Sequence, residues 1–82
     1  MNESKQRAER VLLDWPVFVG LTSRRGWKTD AKRAQAIGVD PSMLSRLKSG
    51  KCQPSPSLIY NLPDLLGVPT KALFYLEEAQ EQ

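Results

Sequence analysis

Apolar residues recur at helical spacing along most of this chain, and the pattern breaks at glycines and prolines. The most regular stretch is residues 29–51. Ala31, Ala34 and Ile37 share one face of a helix opened by Thr29 or Asp30 as N-cap. Gly38 then supplies a positive-φ stop, which only glycine takes cheaply. Val39 is an apolar plug in the turn, Asp40 offers an N-cap oxygen, and Pro41 stands at the first helical position, where its missing N–H is harmless. The helix that follows buries Leu44 and Leu47 and ends at Ser49-Gly50. Stop, cap and proline together predict a well-specified bend between two helices.

Upstream, a helical period runs from Ser4 through Ala8, Val11/Leu12, Trp15 and Val19, straight across Pro16. Two readings stay open there. One is a single helix kinked at Pro16; the other is an N-terminal helix ending near Asp14, with Asp14 capping and Pro16 opening a second helix that carries Val17, Phe18 and Leu21. The break is preferred because Asp14 can cap. Arg24-Arg25-Gly26 ends that helix, with cations at its negative end. Trp27 is expected as a core plug and Trp15 as packing.

Downstream, residues 52–57 form a polar, proline-rich loop, with Ser57 expected as the next N-cap. Leu58, Ile59, Leu62, Leu65 and Leu66 make an apolar face, and Pro63 inside it predicts a kink or a helix divided between Asn61 and Asp64. Gly67 stops that helix. Thr70 opens a last one carrying Leu73, Phe74 and Leu76. Residues 1–3 and 77–82 are expected to fray. With no strand pattern and no internal repeat, the expected fold is all-α. It is a compact bundle of about five short helices in one domain over 1–82, with a further helical extension over 1–15.

Composition adds little to the fold but much to the chemistry. At 82 residues, 40% apolar and 26% charged, the chain suits one small globular domain near the lower size limit for folding unaided. Cys52 is the only cysteine, so no internal disulfide is possible, and it reads as an ordinary loop thiol. With no secretory pattern and no membrane-crossing apolar run, a cytoplasmic protein is expected. The net charge of +3 is unevenly spread. Residues 24–51 hold Arg24, Arg25, Lys28, Lys32, Arg33, Arg46, Lys48 and Lys51 against Asp30 and Asp40, whereas residues 52–82 carry net negative charge. A positive field on the helix–turn–helix fits a nucleic-acid footprint. There is no histidine, no metal-ligand cluster, no Gly-rich phosphate loop and no paired carboxylate arrangement, so neither an enzyme nor a cofactor is expected.

Ala34, Gly38, Val39, Asp40, Leu44, Ser45, Leu47, Gly50 and Lys51 resemble the DNA-binding helix-turn-helix of the lambda-repressor-like superfamily, the Cro and repressor type. The likeness continues through Pro54, Ile59, Leu62, Leu66-Gly67-Val68 and Leu73-Phe74, and so covers roughly residues 17–76. Three positions depart from the family pattern. Arg33 replaces a usual leucine. Lys48 stands where many members carry Glu, often paired with an Arg of the first helix, so that ion pair is not expected. Pro63 replaces a usual alanine.

The resemblance implies sequence-specific binding of double-stranded DNA by a small transcription regulator, a phage or prophage Cro-like repressor, with the second helix in the major groove. Base readout then falls to Pro41, Ser42, Met43, Ser45 and Arg46. Arg46 is the foremost of these, because its fork matches guanine O6 and N7, a contact that discriminates by about 1–3 kcal/mol. Phosphate contacts fall to Lys28, Thr29, Lys48, Ser49 and Lys51, with Arg24, Arg25 and Lys32 of second rank. Asp30 is expected to cap rather than to touch DNA. One recognition helix covers too few base pairs, so a homodimer on a two-fold operator is implied, joined through Leu73, Phe74 and Leu76 or through the segment around Trp15. A protein-interaction module of the same fold, an antitoxin or adaptor, is the alternative.

Overall fold

Residues 9–78 are described by the computed structural model, and this part of the chain begins and ends in extended backbone rather than helix. Strand β1 (Glu9–Leu13) pairs antiparallel with β2 (Phe74–Glu78), Arg10 opposite Glu77, Val11 opposite Leu76 and Leu13 opposite Phe74. Between them run helices α1 (Trp15–Arg24), α2 (Asp30–Ile37), α3 (Pro41–Ser49), α4 (Pro56–Leu66) and α5 (Thr70–Leu73).

The two-stranded sheet overturns the all-α expectation. Residues 9–13 are strand, not part of a helical extension over 1–15, and the rest of that expectation, including fraying at 1–3, falls on residues outside those described. The last helix stops after four residues, so Phe74 and Leu76 belong to β2. Glu77 and Glu78 of the expected frayed tail are strand residues as well; residues 79–82 lie outside the described part.

The reason is burial on both faces. Leu12 and Leu13 are adjacent and both buried, which a strand permits only when each face of the sheet is covered. Leu13 and Phe74 join Phe18, Leu44, Leu62 and Leu73 in the core, while Leu12 Cδ2 lies 3.9 Å from where a Cβ on Gly50, just past α3, would stand. Such a strand reads as a short apolar run, which periodicity does not separate from a helical turn.

Pairing extends one step beyond the strands, the Asp14 N–H donating to the Leu73 carbonyl at 2.7 Å. Asp14 then turns into the N-cap of α1, its Oδ1 accepting from the Val17 N–H at 3.4 Å. Asp14 thus caps α1, but both openings considered put a helix before it, and over the described residues 9–13 a strand stands there instead.

Helix α4 is capped by Ser55, not Ser57: Ser55 Oγ accepts from the Leu58 N–H at 3.1 Å, and Pro56 takes the first helical position. The helix runs undivided through Pro63, whose buried ring joins Ile59, Leu62 and Leu66 in a stripe at i, i+3, i+4 and i+7. Leu65, expected on that face, is exposed. Phe18, Leu44, Leu62 and Leu73 are almost wholly buried, each burial stabilising by roughly 1.5–3 kcal/mol. Their packing fixes α1, α3, α4 and α5 around one core.

Candidate nucleic-acid interface

Thr29 caps α2, its Oγ1 accepting from the Lys32 N–H at 3.1 Å, and Gly38 ends the helix at φ +78°. Helix α3 follows after Val39 and Asp40, with Pro41 at its first position, and stops at Gly50, φ +76°. Asp40 holds the N-cap position without bonding an α3 backbone N–H; its Oδ2 instead accepts from the Ser42 hydroxyl at 2.9 Å.

Leu44 and Leu47 are the buried residues of α3. At 100° per residue, Ser42, Ser45, Arg46 and Ser49 fall in one stripe diametrically opposite that pair, and all four are exposed. Met43 lies on one flank and Pro41 and Lys48 on the other. The sequence thus sets an apolar seam on one side of a two-turn helix and a polar ridge on the other.

Within that ridge the side chains differ in freedom. Ser42 donates to Asp40 Oδ2, and Ser49 donates to the Arg46 carbonyl at 3.2 Å, so both hydroxyls turn back on their own helix and its cap and offer lone pairs outward. No carboxylate among the described residues lies within ion-pair distance of Arg46. The Met43 sulfur sits 3.4 Å from Cys52 Sγ. That contact spends the Cys52 thiol on packing the loop against α3 and leaves Met43 partly exposed.

Lys48 is placed differently from the other cations. Its Nζ lies 3.9 Å from Asp30 Oδ2 and 5.4 Å from the centroid of the Trp15 ring, which itself packs on Phe18 at 5.3 Å. Lys48 therefore bridges α3 to the first residue of α2 and the start of α1. Asp30, considered as a cap, is instead the common partner of Lys48 and Arg33. Lys28 and Thr29, just before α2, and Ser49 and Lys51, at the end of α3 and just past it, are all exposed. Trp27, half-buried against the core, carries Arg25 above its ring at 5.8 Å.

Two supports of this surface come from residues that no helical spacing marks. The first is Arg33, 6% exposed, which donates to Thr22 Oγ1 at 2.8 Å, to Asp30 Oδ1 at 2.9 Å and to Ser23 Oγ at 3.0 Å. The signal available for it was a pair of hydroxyls, Thr22 and Ser23, next to the inner face of α1. The second is β1. The Arg10 guanidinium donates to the Gly50 carbonyl, and the Val11 N–H donates to Gln53 Oε1 at 2.8 Å, so the segment leaving α3 is clipped to the sheet.

Seven of the eight cations in residues 24–51 are exposed, Arg33 being the exception. Among the described residues no group of three metal-ligating side chains is present, and no helix is long and apolar enough to cross a membrane. No protein-family model matches the chain, and no curated protein or solved structure matches it significantly.

Proposed function

We propose that this protein binds double-stranded DNA sequence-specifically as a small transcription regulator of the Cro-like phage or prophage kind, acting in the cytoplasm on a two-fold operator as a homodimer. The observation that carries this is the polar ridge of α3, with Arg46 at its middle and no carboxylate among the described residues within ion-pair distance of it, standing opposite the buried Leu44 and Leu47 on a helix held at a glycine-stopped bend. An exposed helix that carries an exposed cation fits the width of a major groove.

Arg46 and Ser45 read base edges in this proposal. Ser42, whose hydroxyl already donates its hydrogen bond to Asp40, acts as an acceptor toward cytosine or adenine amino groups. Met43 and the Pro41 ring flank the ridge and meet thymine methyls. Lys28, Lys51 and Ser49, with the free backbone N–H groups beside Thr29 at the start of α2, hold phosphates. Lys48 contributes less, being drawn toward Asp30 and Trp15.

Selection from random duplexes tests this. Enrichment of one two-fold sequence with half-sites about 34 Å apart, or a multiple of it, is expected. Recovery of the input pool unchanged would exclude specific readout. The second reading, a protein-interaction module, draws on the exposed Tyr60 and Leu65 of α4. Co-purification of a stoichiometric partner with no salt-sensitive DNA binding selects it.

A further inference from the structure

We propose that two residues outside the helix–turn–helix, Arg10 of β1 and Gln53 of the loop after α3, are positioning residues for a phosphate contact. Together they hold the turn on which Lys51 stands, and so fix where that cation meets the DNA backbone. The inference rests on the DNA-binding reading of α3 and gives the sheet a part in it.

The turn is secured at three points. At the helix, Gly50 stops α3 at φ +76°, and the Lys51 N–H donates to the Arg46 carbonyl at 2.9 Å. The backbone of Lys51 is thereby tied to that of the foremost base-reading residue. At the sheet, Arg10 Nη2 donates to the Gly50 carbonyl. Its Nη1 lies 3.7 Å from Glu77 Oε1, the side chain of its partner across the ribbon. One planar fork, with donors in fixed directions, thus joins the end of α3 to both strands. Two residues further along the turn from Lys51, Gln53 Oε1 accepts from the Val11 N–H at 2.8 Å. Arg10 and Leu12, two apart and so on one face of β1, both meet Gly50.

Lys51 stands between the two clipped residues. It is exposed, and no carboxylate among the described residues lies within ion-pair distance of it. Lys48, the other lysine at this end of α3, is drawn instead to Asp30 and Trp15. The charge of Arg10 is committed to Glu77 and to the carbonyl end of the α3 dipole, so Arg10 serves the phosphate through Lys51 rather than by touching it. A turn already ordered in the free protein spares the ordering cost that a loose one would meet on binding.

Salt titrations of a fixed duplex test this, with far-UV circular dichroism and urea unfolding as folding controls. The variants are Gln53→Ala, Arg10→Gln, Lys51→Ala and each of the first two combined with Lys51→Ala. Gln53→Ala removes no charge, yet it is expected to weaken binding several-fold and to lower the slope of log affinity against log salt toward that of Lys51→Ala. The preference for the selected duplex over a scrambled one should survive, because Arg46 is untouched. With Lys51→Ala already present, neither further change should lower the slope appreciably. A slope for Gln53→Ala equal to that of the wild type overturns the inference while leaving the DNA reading intact. Full additivity of Arg10→Gln with Lys51→Ala, a combined drop of about two, would make Arg10 a phosphate contact in its own right and overturn its positioning role. A wild type that binds no duplex fails the DNA reading itself and takes the inference with it. Gln53 is an exposed loop residue, so its variant decides even if Arg10→Gln misfolds.

Discussion

Arg33 Nε donates to Thr22 Oγ1 at 2.8 Å, and both residues are buried. This bond ties α2, the first helix of the bend, to α1, the first helix of the domain. Thr22 in turn donates to the Phe18 carbonyl at 2.7 Å, so the chain of bonds reaches one of the most deeply buried side chains. A buried guanidinium is tolerable only when its donors are met, and here they are met by Thr22, Ser23 and Asp30.

Removing that guanidinium leaves a buried hydroxyl acceptor and a void behind α2. Arg33→Ala should therefore lower unfolding free energy by about 2–4 kcal/mol, and Thr22→Val by about 1 kcal/mol. In a double-mutant cycle read by urea denaturation the two losses should fall short of additive, because each deletes the same bond. Arg33→Leu is expected to recover much of the loss, since a packed hydrophobe often replaces a buried ion at little net cost.

Asp30 holds Lys48 at 3.9 Å and puts a negative charge where α2 would meet a phosphate. Asp30→Asn should therefore tighten DNA binding several-fold at low salt and steepen its salt dependence, at some cost in stability because it neutralises the carboxylate paired with the buried Arg33 guanidinium. Titration of a fixed duplex at several salt concentrations reads both effects.

Gly38 holds φ +78°, and a Cβ built there meets nothing within 4 Å. Its substitution is thus a test of backbone conformation alone. Gly38→Ala should cost about 1–2 kcal/mol, and Gly38→Asn less, because asparagine enters the left-handed region more readily. Chemical denaturation of the two variants should keep that order.

Leu12 is covered on the face of the sheet that meets the end of α3. Leu12→Ala should destabilise by about 2–4 kcal/mol, the ordinary cost of a truncated buried leucine. Were residues 9–13 an exposed helical extension instead, thermal unfolding would hardly notice the change.

The bend was legible in the sequence because its signals are local. Gly38, Asp40 and Pro41 each act through their own backbone, and α2 and α3 begin and end where those residues put them. The cap of α4 is written in the sequence too: Pro56 at a first helical position makes Ser55, rather than Ser57, the N-cap. The sheet was not legible. Its partners lie at opposite ends of the chain, and β1 is covered on both faces, so neither spacing nor alternation marks it. Within the candidate interface, the outward positions followed from the seam of Leu44 and Leu47. The engagement of Ser42 with Asp40, and of Lys48 with Asp30 and Trp15, depends on rotamers and on a neighbouring helix, which no spacing rule supplies.

Lys51 is exposed just beyond α3, where a phosphate contact carries no sequence information. Lys51→Ala should weaken binding to every duplex alike and lower the slope of log affinity against log salt by about one.

The reading of α3 as a DNA-recognition helix is tested most directly at Arg46. The affinity of wild type and of Arg46→Ala would be measured on the selected duplex and on a scrambled one at a single salt concentration. The expected result is a loss of about 1–3 kcal/mol on the selected duplex with a much smaller one on the scramble, so that discrimination between them collapses. Equal losses on the two duplexes, or no loss on either, would contradict base readout by this helix.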